Sequence, residues 1–409
     1  MKQAMVRESR ACGGSELAVH WGLDAAVDYL NHGSFGACPT AVLEAQARWQ
    51  RRIEREPVQF LHRELEQHLD RAREALARFV GAPSDDLAFV PNATAGVNTV
   101  LRSLRFEAGD EIVVTDQEYN ATRNAVDFVA HACGARVVAL ALPFPIASPD
   151  VALERVLAAI TARTKLLVVD HITSPTGLVL PIERLVRAAR ERGVETLVDG
   201  AHGPGHVALS LEALGAAYYT GNCHKWMCTP KGSALLYVRR DLQPQIRPLA
   251  ISHGANSRRT DRSFFRLEAD WPGTHDPTPW LVIPEALEHL AQLVPGGWDE
   301  IRRRNRQLAL WAREHLCAAL GVALPAPESM IGCLAALPLP DRTGPASEPL
   351  GLDPLHVALY ERHGIEIPVF PWPAPPRRLI RLSAQLYNRR EQYERLARVL
   401  RTELNGALA

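Results

Sequence analysis

The stretch ETLVDGAHGPGHVALSLEALGAAYYTGNCHK, Glu195 to Lys225, decides the fold. It holds two short apolar runs of strand character. The first ends on Asp199; the second, AAYYTG, ends just before Lys225. Outward from it lie further runs of the same kind: LAFV, EIVVTD, RVVALAL and KLLVVDHIT before it, ALLYVRR after it. Helical patterns such as VALERVLAAIT and IERLVRAARER separate several of them. Strands alternating with helices of this length imply a mostly parallel sheet covered on both faces. Ligands of such sheets sit at the carboxyl ends of the strands, the edge on which Asp199 and Lys225 fall. Lys225 also stands out by type. The chain has four lysines (Lys2, Lys165, Lys225, Lys231) against 42 arginines. A surface cation can be either residue, but a reactive amine cannot be a guanidinium, which stays protonated.

The 409 residues are 47% hydrophobic and 22% charged, an ordinary globular composition long enough for two cores. Zero net charge gives no attraction to nucleic acid or to an anionic membrane. No apolar run reaches bilayer length, and the first residues lack the apolar core of a secretory signal. Seven scattered cysteines with no CxxC spacing read as free thiols in a reducing cytoplasm, with no metal site.

Residues 1–30 read as a loose N-terminal arm, 31–285 as a large domain and 286–409 as a smaller α+β domain. Within the large domain, YLNHGSFGACP is a glycine-rich break. Residues 40–80 read as a long amphipathic helical region, with Leu61, Leu65, Leu69 and Leu76 at helical spacing. The small domain alternates long helices with the strands MIGCLAALPL, IEIPVF and RRLIRLSAQ, and PLPDRTGPASEPLGLD is a surface loop inside it.

An acid at one strand end and a lysine just past the next are the two groups pyridoxal phosphate requires: an amine for the Schiff base and a carboxylate against the pyridinium nitrogen. In AFVPNATAGVNTVLRSL a strand turns into a helix beginning near Thr94. Its free amides and hydroxyl suit a phosphate, although Thr94 would serve equally as a simple N-cap. Neither GxxxxGK[ST] nor GxGxxG occurs, so no nucleotide is suggested.

These segments, with YLNHGSFGACP, DQEYNATRNA, DHITSPTGLVLPI, WPGTHDPTPWL and IRLSAQLYN in that family's order, resemble the class V aminotransferase family of fold-type I pyridoxal-phosphate enzymes, and within it the isopenicillin N epimerase-like group. The resemblance implies an α/β large domain around a seven-stranded sheet and a small C-terminal domain. It implies Lys225 as the Schiff-base lysine, Asp199 at the ring nitrogen and His202 near the ring's phenolic oxygen. Tyr119 would stack over the ring, and Ser174 would lie beside it where some relatives have Asn. Ala93 and Thr94 would meet the phosphate, joined by Asn222 and His224. Thr274 would complete the phosphate site of a partner subunit in a homodimer. Arg381 would bind the substrate carboxylate, with Asn31 and His32 folding over the site. Lys231 reads as structural or surface.

The cofactor does not fix the reaction, because a carbanion at the α-carbon has several outcomes. The resemblance favours epimerisation of an amino-acid substrate. That requires Lys225 as one base and a second donor on the opposite face, for which Tyr119 is the candidate. The alternative is β-elimination by a C–S lyase acting on a cysteine conjugate or its sulfoxide. Transamination ranks lower, as does a non-catalytic binding role, since lysine and aspartate are both kept. ERHGIEIPVFPW carries no cysteine where desulfurases of this family place their reactive one. The run Arg258, Arg259, Arg262 and Arg266 reads as a solvated face or dimer contact, or as a site for an acidic substrate.

Overall fold

A computed structural model describes residues 11–342 and 351–406. Part of the loop predicted within 338–353 lies outside the described residues, as does the start of the N-terminal arm.

Glu56–Pro57 interrupts the helical region expected over 40–80. Helix α1 (Thr40–Arg55) ends where Glu56 turns out of helical backbone (φ −157°, ψ 82°), and a π-helical turn at Phe60–Glu64 leads into α2 (Leu65–Val80). Proline lacks an N–H and restricts the residue before it, so the helix cannot run through. Along α2, Leu65, Leu69, Ala72, Leu76 and Val80 form one buried stripe.

The central sheet has seven strands: β1 (Leu87–Val90), β2 (Glu111–Thr115), β3 (Arg136–Leu140), β4 (Thr164–Asp170), β5 (Glu195–Asp199), β6 (Tyr218–Asn222) and β7 (Ala234–Val238). Their order is β1-β7-β6-β5-β4-β2-β3. Strands β2 to β6 run parallel, while β7 and β1 pair antiparallel at one edge. Alternate residues separate to opposite faces, and both faces are buried. Val113, Leu167, Val198 and Tyr219 enter one core, while Ile112, Val168, Leu197 and Tyr218 enter the other. That is why these strands read as continuous apolar runs. Register aligns Asp170 with Asp199 and Asp199 with Thr220, so three polar side chains stand abreast at the carboxyl edge.

Helices α3 (Ala93–Ser103) and α4 (Asn120–Cys133) start from that same edge, after β1 and β2. Toward the C-terminus a three-stranded sheet, Val369–Pro371, Arg378–Ser383 and Leu334–Leu339 in that order, packs against the long helix Gly297–Leu320. From residue 11 on, the arm is not loose. Asp28–Tyr29 pairs in parallel with Ile365–Glu366, the fully buried Asp28 forms an ion pair with Arg395 at 2.7 Å, and the Ser15 amide donates to the Tyr387 carbonyl.

The arginine run is engaged within the chain. Arg259 pairs with Glu66 and Asp261, Arg262 with Glu66 and Asp70, and Arg266 with Asp70, Asp85 and Asp270. This network ties the 258–270 segment to α2. Each of those three guanidiniums is thus already paired with carboxylates of the same chain.

Candidate active site

Lys225 lies half-buried in the loop after β6, and its amine faces His202, which follows β5. The Trp226 indole N–H donates to His202 Nδ1 at 3.2 Å. An indole nitrogen is a donor only, so the imidazole proton must sit on Nε2. Nε2 lies 3.3 Å from Lys225 Nζ, and an N–H pointing at an amine calls for the amine's lone pair. The electrostatics agree. Burial, then the Arg381 charge, lowers Lys225 to about 7 against the opposing pull of Asp199 and Asp170. Burial and the lysine charge hold His202 well below its ordinary value. Neutral imidazole against neutral amine is therefore the form favoured above about pH 7.

Trp226 thus sets a tautomer, a role that residue type and spacing do not disclose. In Trp226→Phe the ring can turn its lone pair to the amine and favour the ammonium. One hydrogen bond is worth about 1 kcal/mol and 1.4 kcal/mol is a pH unit, so Lys225 is expected to rise by roughly one unit. Nitrogen-15 NMR of histidine side chains reads the tautomer directly. An unchanged His202 tautomer in the variant would sink the assignment.

Asp199 is 2% exposed. Thr122 Oγ1 donates to its Oδ2 at 2.6 Å and the Ala201 amide to its Oδ1 at 3.1 Å. Burial raises its pKa, while these donors and Lys225 favour the ionised form.

At the start of α3, Asn92 is the N-cap, its Oδ1 accepting from the Ala95 amide at 2.9 Å. The capping alternative for Thr94 is thereby replaced, since Thr94 lies inside the first turn. Asn222 Oδ1 accepts the Ala93 amide at 2.8 Å, which fixes the end of β6 to this turn. His224 donates Nδ1–H to the Ser233 carbonyl at 2.8 Å and is lowered to about 4, chiefly by burial.

Arg381 is 4% exposed, and no carboxylate pairs with it among the described residues. Its guanidinium donates to the Ser174 carbonyl and hydroxyl and to Ser34 Oγ, leaving Nε without a partner. Burial lowers it to about 10. Ser34 Oγ donates to Asn31 Oδ1, and Asn31 Nδ2 donates to Glu366 Oε1 at 2.9 Å. A buried cation with no counter-ion is costly unless an anion arrives to compensate it, and a planar guanidinium suits a carboxylate.

His32 departs from the expected substrate contact. It is fully buried, its Nε2 lies 3.1 Å from the Lys225 carbonyl and its Nδ1 2.8 Å from Tyr387 Oη. It supports the lysine's backbone from behind. Gly36 does so too: at φ 70° its backbone lies so close that a Cβ would sit 2.2 Å from the His224 carbonyl oxygen. Lys231 is structural, donating to the Gly36 carbonyl at 2.9 Å.

Tyr119 stands 47% exposed at the head of α4. Thr274 is not brought to the lysine by any described hydrogen bond. It lines an apolar cavity of about 480 Å³ with Val90, Pro91, Ala95 and Gly232, and half-exposed Leu249 lines it too. All seven cysteines are free, and Cys223 and Cys228 beside the lysine are fully buried. No helix among the described residues is long and apolar enough to cross a membrane.

Besides Trp226 and Thr122, two residues at this edge escaped the sequence reading: Glu118 and Asp170. Their carboxylates lie with that of Asp199 in one buried group, the oxygens within 4.8 Å of one another. Asp170 ends LLVVD as Asp199 ends TLVD, and that parallel was the available signal.

The arrangement fits a phosphorylated pyridine aldehyde. It offers an amine lowered to about 7, a donor-supported buried carboxylate on the neighbouring strand, a helix start suited to a phosphate and an uncompensated guanidinium suited to a carboxylate. The chain is 38% identical over 393 residues to an isopenicillin N epimerase of Amycolatopsis lactamdurans, covering 93% of this chain and 96% of that protein. It is 33% identical to a probable chloroplastic L-cysteine desulfhydrase of Arabidopsis thaliana, covering 92% and 82%. Among solved structures it is similar in fold to a C-DES variant with glycine covalently linked to its PLP cofactor, with a TM-score of 0.74, 23% identity, and 91% and 96% of the two chains covered. The model of the class-V aminotransferases matches residues 22–396, and the chain belongs to that family.

Proposed function

We propose that the protein is a pyridoxal-phosphate enzyme that epimerises an amino-acid substrate at its α-carbon. The observation that carries the cofactor reading is the amine of Lys225, 3.3 Å from His202 at the strand edge that carries Asp199. Epimerisation is favoured over other outcomes by the 38% identity to an isopenicillin N epimerase. Lys225 would hold the cofactor covalently and Asp199 its ring nitrogen. His202 and Ser174 would border the ring, with Tyr119 over it. Thr94, Asn222 and His224 would hold its phosphate, with the Ala93 turn placed by Asn222. When bound, the cofactor supplies an electron sink for negative charge at the substrate α-carbon.

The chain's own residues do the rest. Arg381 takes the substrate carboxylate, oriented by Ser34 and Ser174, with Asn31 braced behind Ser34. This docks the Cα–H within reach of one base. Lys225 Nζ, unprotonated above about pH 7, accepts that proton. A donor on the opposite face then returns a proton, and the exposed Tyr119 hydroxyl is the candidate. We place the enzyme as a homodimer, with the apolar cavity beside Thr274 covered by the partner, and in the reducing cytoplasm that suits seven free thiols.

A C–S lyase reading has its own support in the desulfhydrase at 33% identity, and it needs only the one base. Incubation with amino acids and cysteine conjugates in heavy water, followed by proton NMR, separates the two. Epimerisation gives deuterium at Cα of intact substrate together with the opposite enantiomer. Pyruvate and ammonia without racemised substrate would establish the lyase instead.

A further inference from the structure

Glu118 has no task in the mechanism above, yet it is buried beside its central carboxylate. It sits in the loop between β2 and α4 and is 8% exposed; Asp170 and Asp199 are each 2% exposed. Asp199 has two donors. By contrast, both carboxylate oxygens of Glu118 and Oδ2 of Asp170 have no donor at all. The cations nearby do not supply one. Arg123 is engaged with Asp127 on the outer side of α4, and Lys225 faces His202. Tyr219 lies on the other face of the sheet, where its hydroxyl is paired with His171. A carboxylate only accepts hydrogen bonds, so two of them facing each other in a dry site, with a third alongside, repel, and apart from the Tyr119 amide at Asp170 they have nothing to accept. One proton resolves this, because it turns one carboxyl into the donor the other lacks.

We propose that Glu118 and Asp170 hold one proton between them behind Asp199, and that Glu118 is thereby a positioning residue that keeps the charge of this edge on Asp199. The surroundings act in the same direction. Burial, then the Asp199 charge, raises Glu118 to about 8, and burial with its two acidic neighbours raises Asp170 well above its ordinary value. The proton belongs to the pair. Its loss at alkaline pH puts a further negative charge behind Asp199 and leaves the pair without its hydrogen bond. The role assigned to Asp199 rests on the cofactor reading; the shared proton does not.

Infrared spectroscopy of the holoenzyme tests this with Glu118→Gln, which keeps the shape and cannot titrate. The wild type should show the carbonyl stretch of a protonated buried carboxyl at neutral pH, shifted in heavy water and lost as pH rises through about 8. Glu118→Gln should lack that band, and its pH profile of cofactor absorbance should lose the matching alkaline step. Asp170→Asn should lose the band as well, which guards against misfolding of one variant. Absence of the band in the wild type, or its persistence in both variants, would overturn the proposal. So would a divalent cation that raises the melting temperature of the wild type but of neither variant, since the three carboxylates would then be a cation site. A protein that shows the band but binds no pyridoxal phosphate would keep the shared proton and sink the cofactor reading instead.

Discussion

Lys225→Ala is expected to abolish turnover, with a loss of at least about 10⁴-fold, the upper range for removing a positioned base. The loss exceeds that of an ordinary base deletion because the same amine is assigned the covalent hold on the cofactor. Among the described residues no second lysine is placed to replace it. Lys231 is tied to the Gly36 carbonyl, and Lys165 is a surface residue 4.0 Å from Asp110. Deuterium exchange at Cα, read by proton NMR, should vanish together with turnover, while a small added amine restores part of the exchange. Melting temperature shows whether the variant is folded. The wild-type rate should rise with pH through about 7, because only the unprotonated amine accepts a proton. Exchange persisting at the wild-type rate in the alanine variant would remove Lys225 from the mechanism.

Much of this site was legible because its chemistry follows the strand ends. Apolar runs such as LLVVD and TLVD read as buried strands, since both sheet faces are covered, and parallel order placed Asp199 and Lys225 on one edge. What escaped depends on register and burial, which a single segment does not carry. Glu118 reads as a polar loop residue until it is seen in a dry site with Asp170. Trp226 reads as core, and only the direction of its N–H discloses the tautomer it sets. His32 was expected to fold over the site, yet its ring turns inward to the lysine's carbonyl. The arginine run finds its acids on α2, nearly 200 residues earlier in the chain, and no local pattern predicts that pairing. Asn92 and Thr94 are both capping types; the helix begins one residue before Thr94, which is below what pattern reading resolves.

Asp199→Asn should separate activity from stability. The amide keeps the shape and an acceptor for the Ala201 amide, but it cannot carry charge. Loss of a fixed charge at a reacting site costs about 10²–10³-fold in kcat, and that range is expected here. Stability should move the other way. Three buried carboxylates share this edge, and the Asp199 charge is, after burial, the main influence raising Glu118 to about 8. A carboxyl raised above its unfolded value contributes stability that is fully present at acid pH. That contribution is lost as pH rises from the ordinary glutamate range through about 8. Removing the Asp199 charge lowers Glu118 and shrinks the loss. Melting of the cofactor-free proteins should therefore give matched temperatures near the acid end and a higher one for Asp199→Asn above about pH 8. A variant that is inactive and also less stable across the whole range would show that Asp199 holds the fold at this edge and that its charge is not what the site stores. The inactive, stabilised outcome would mark it as a carboxylate kept at a cost to folding for the sake of the chemistry.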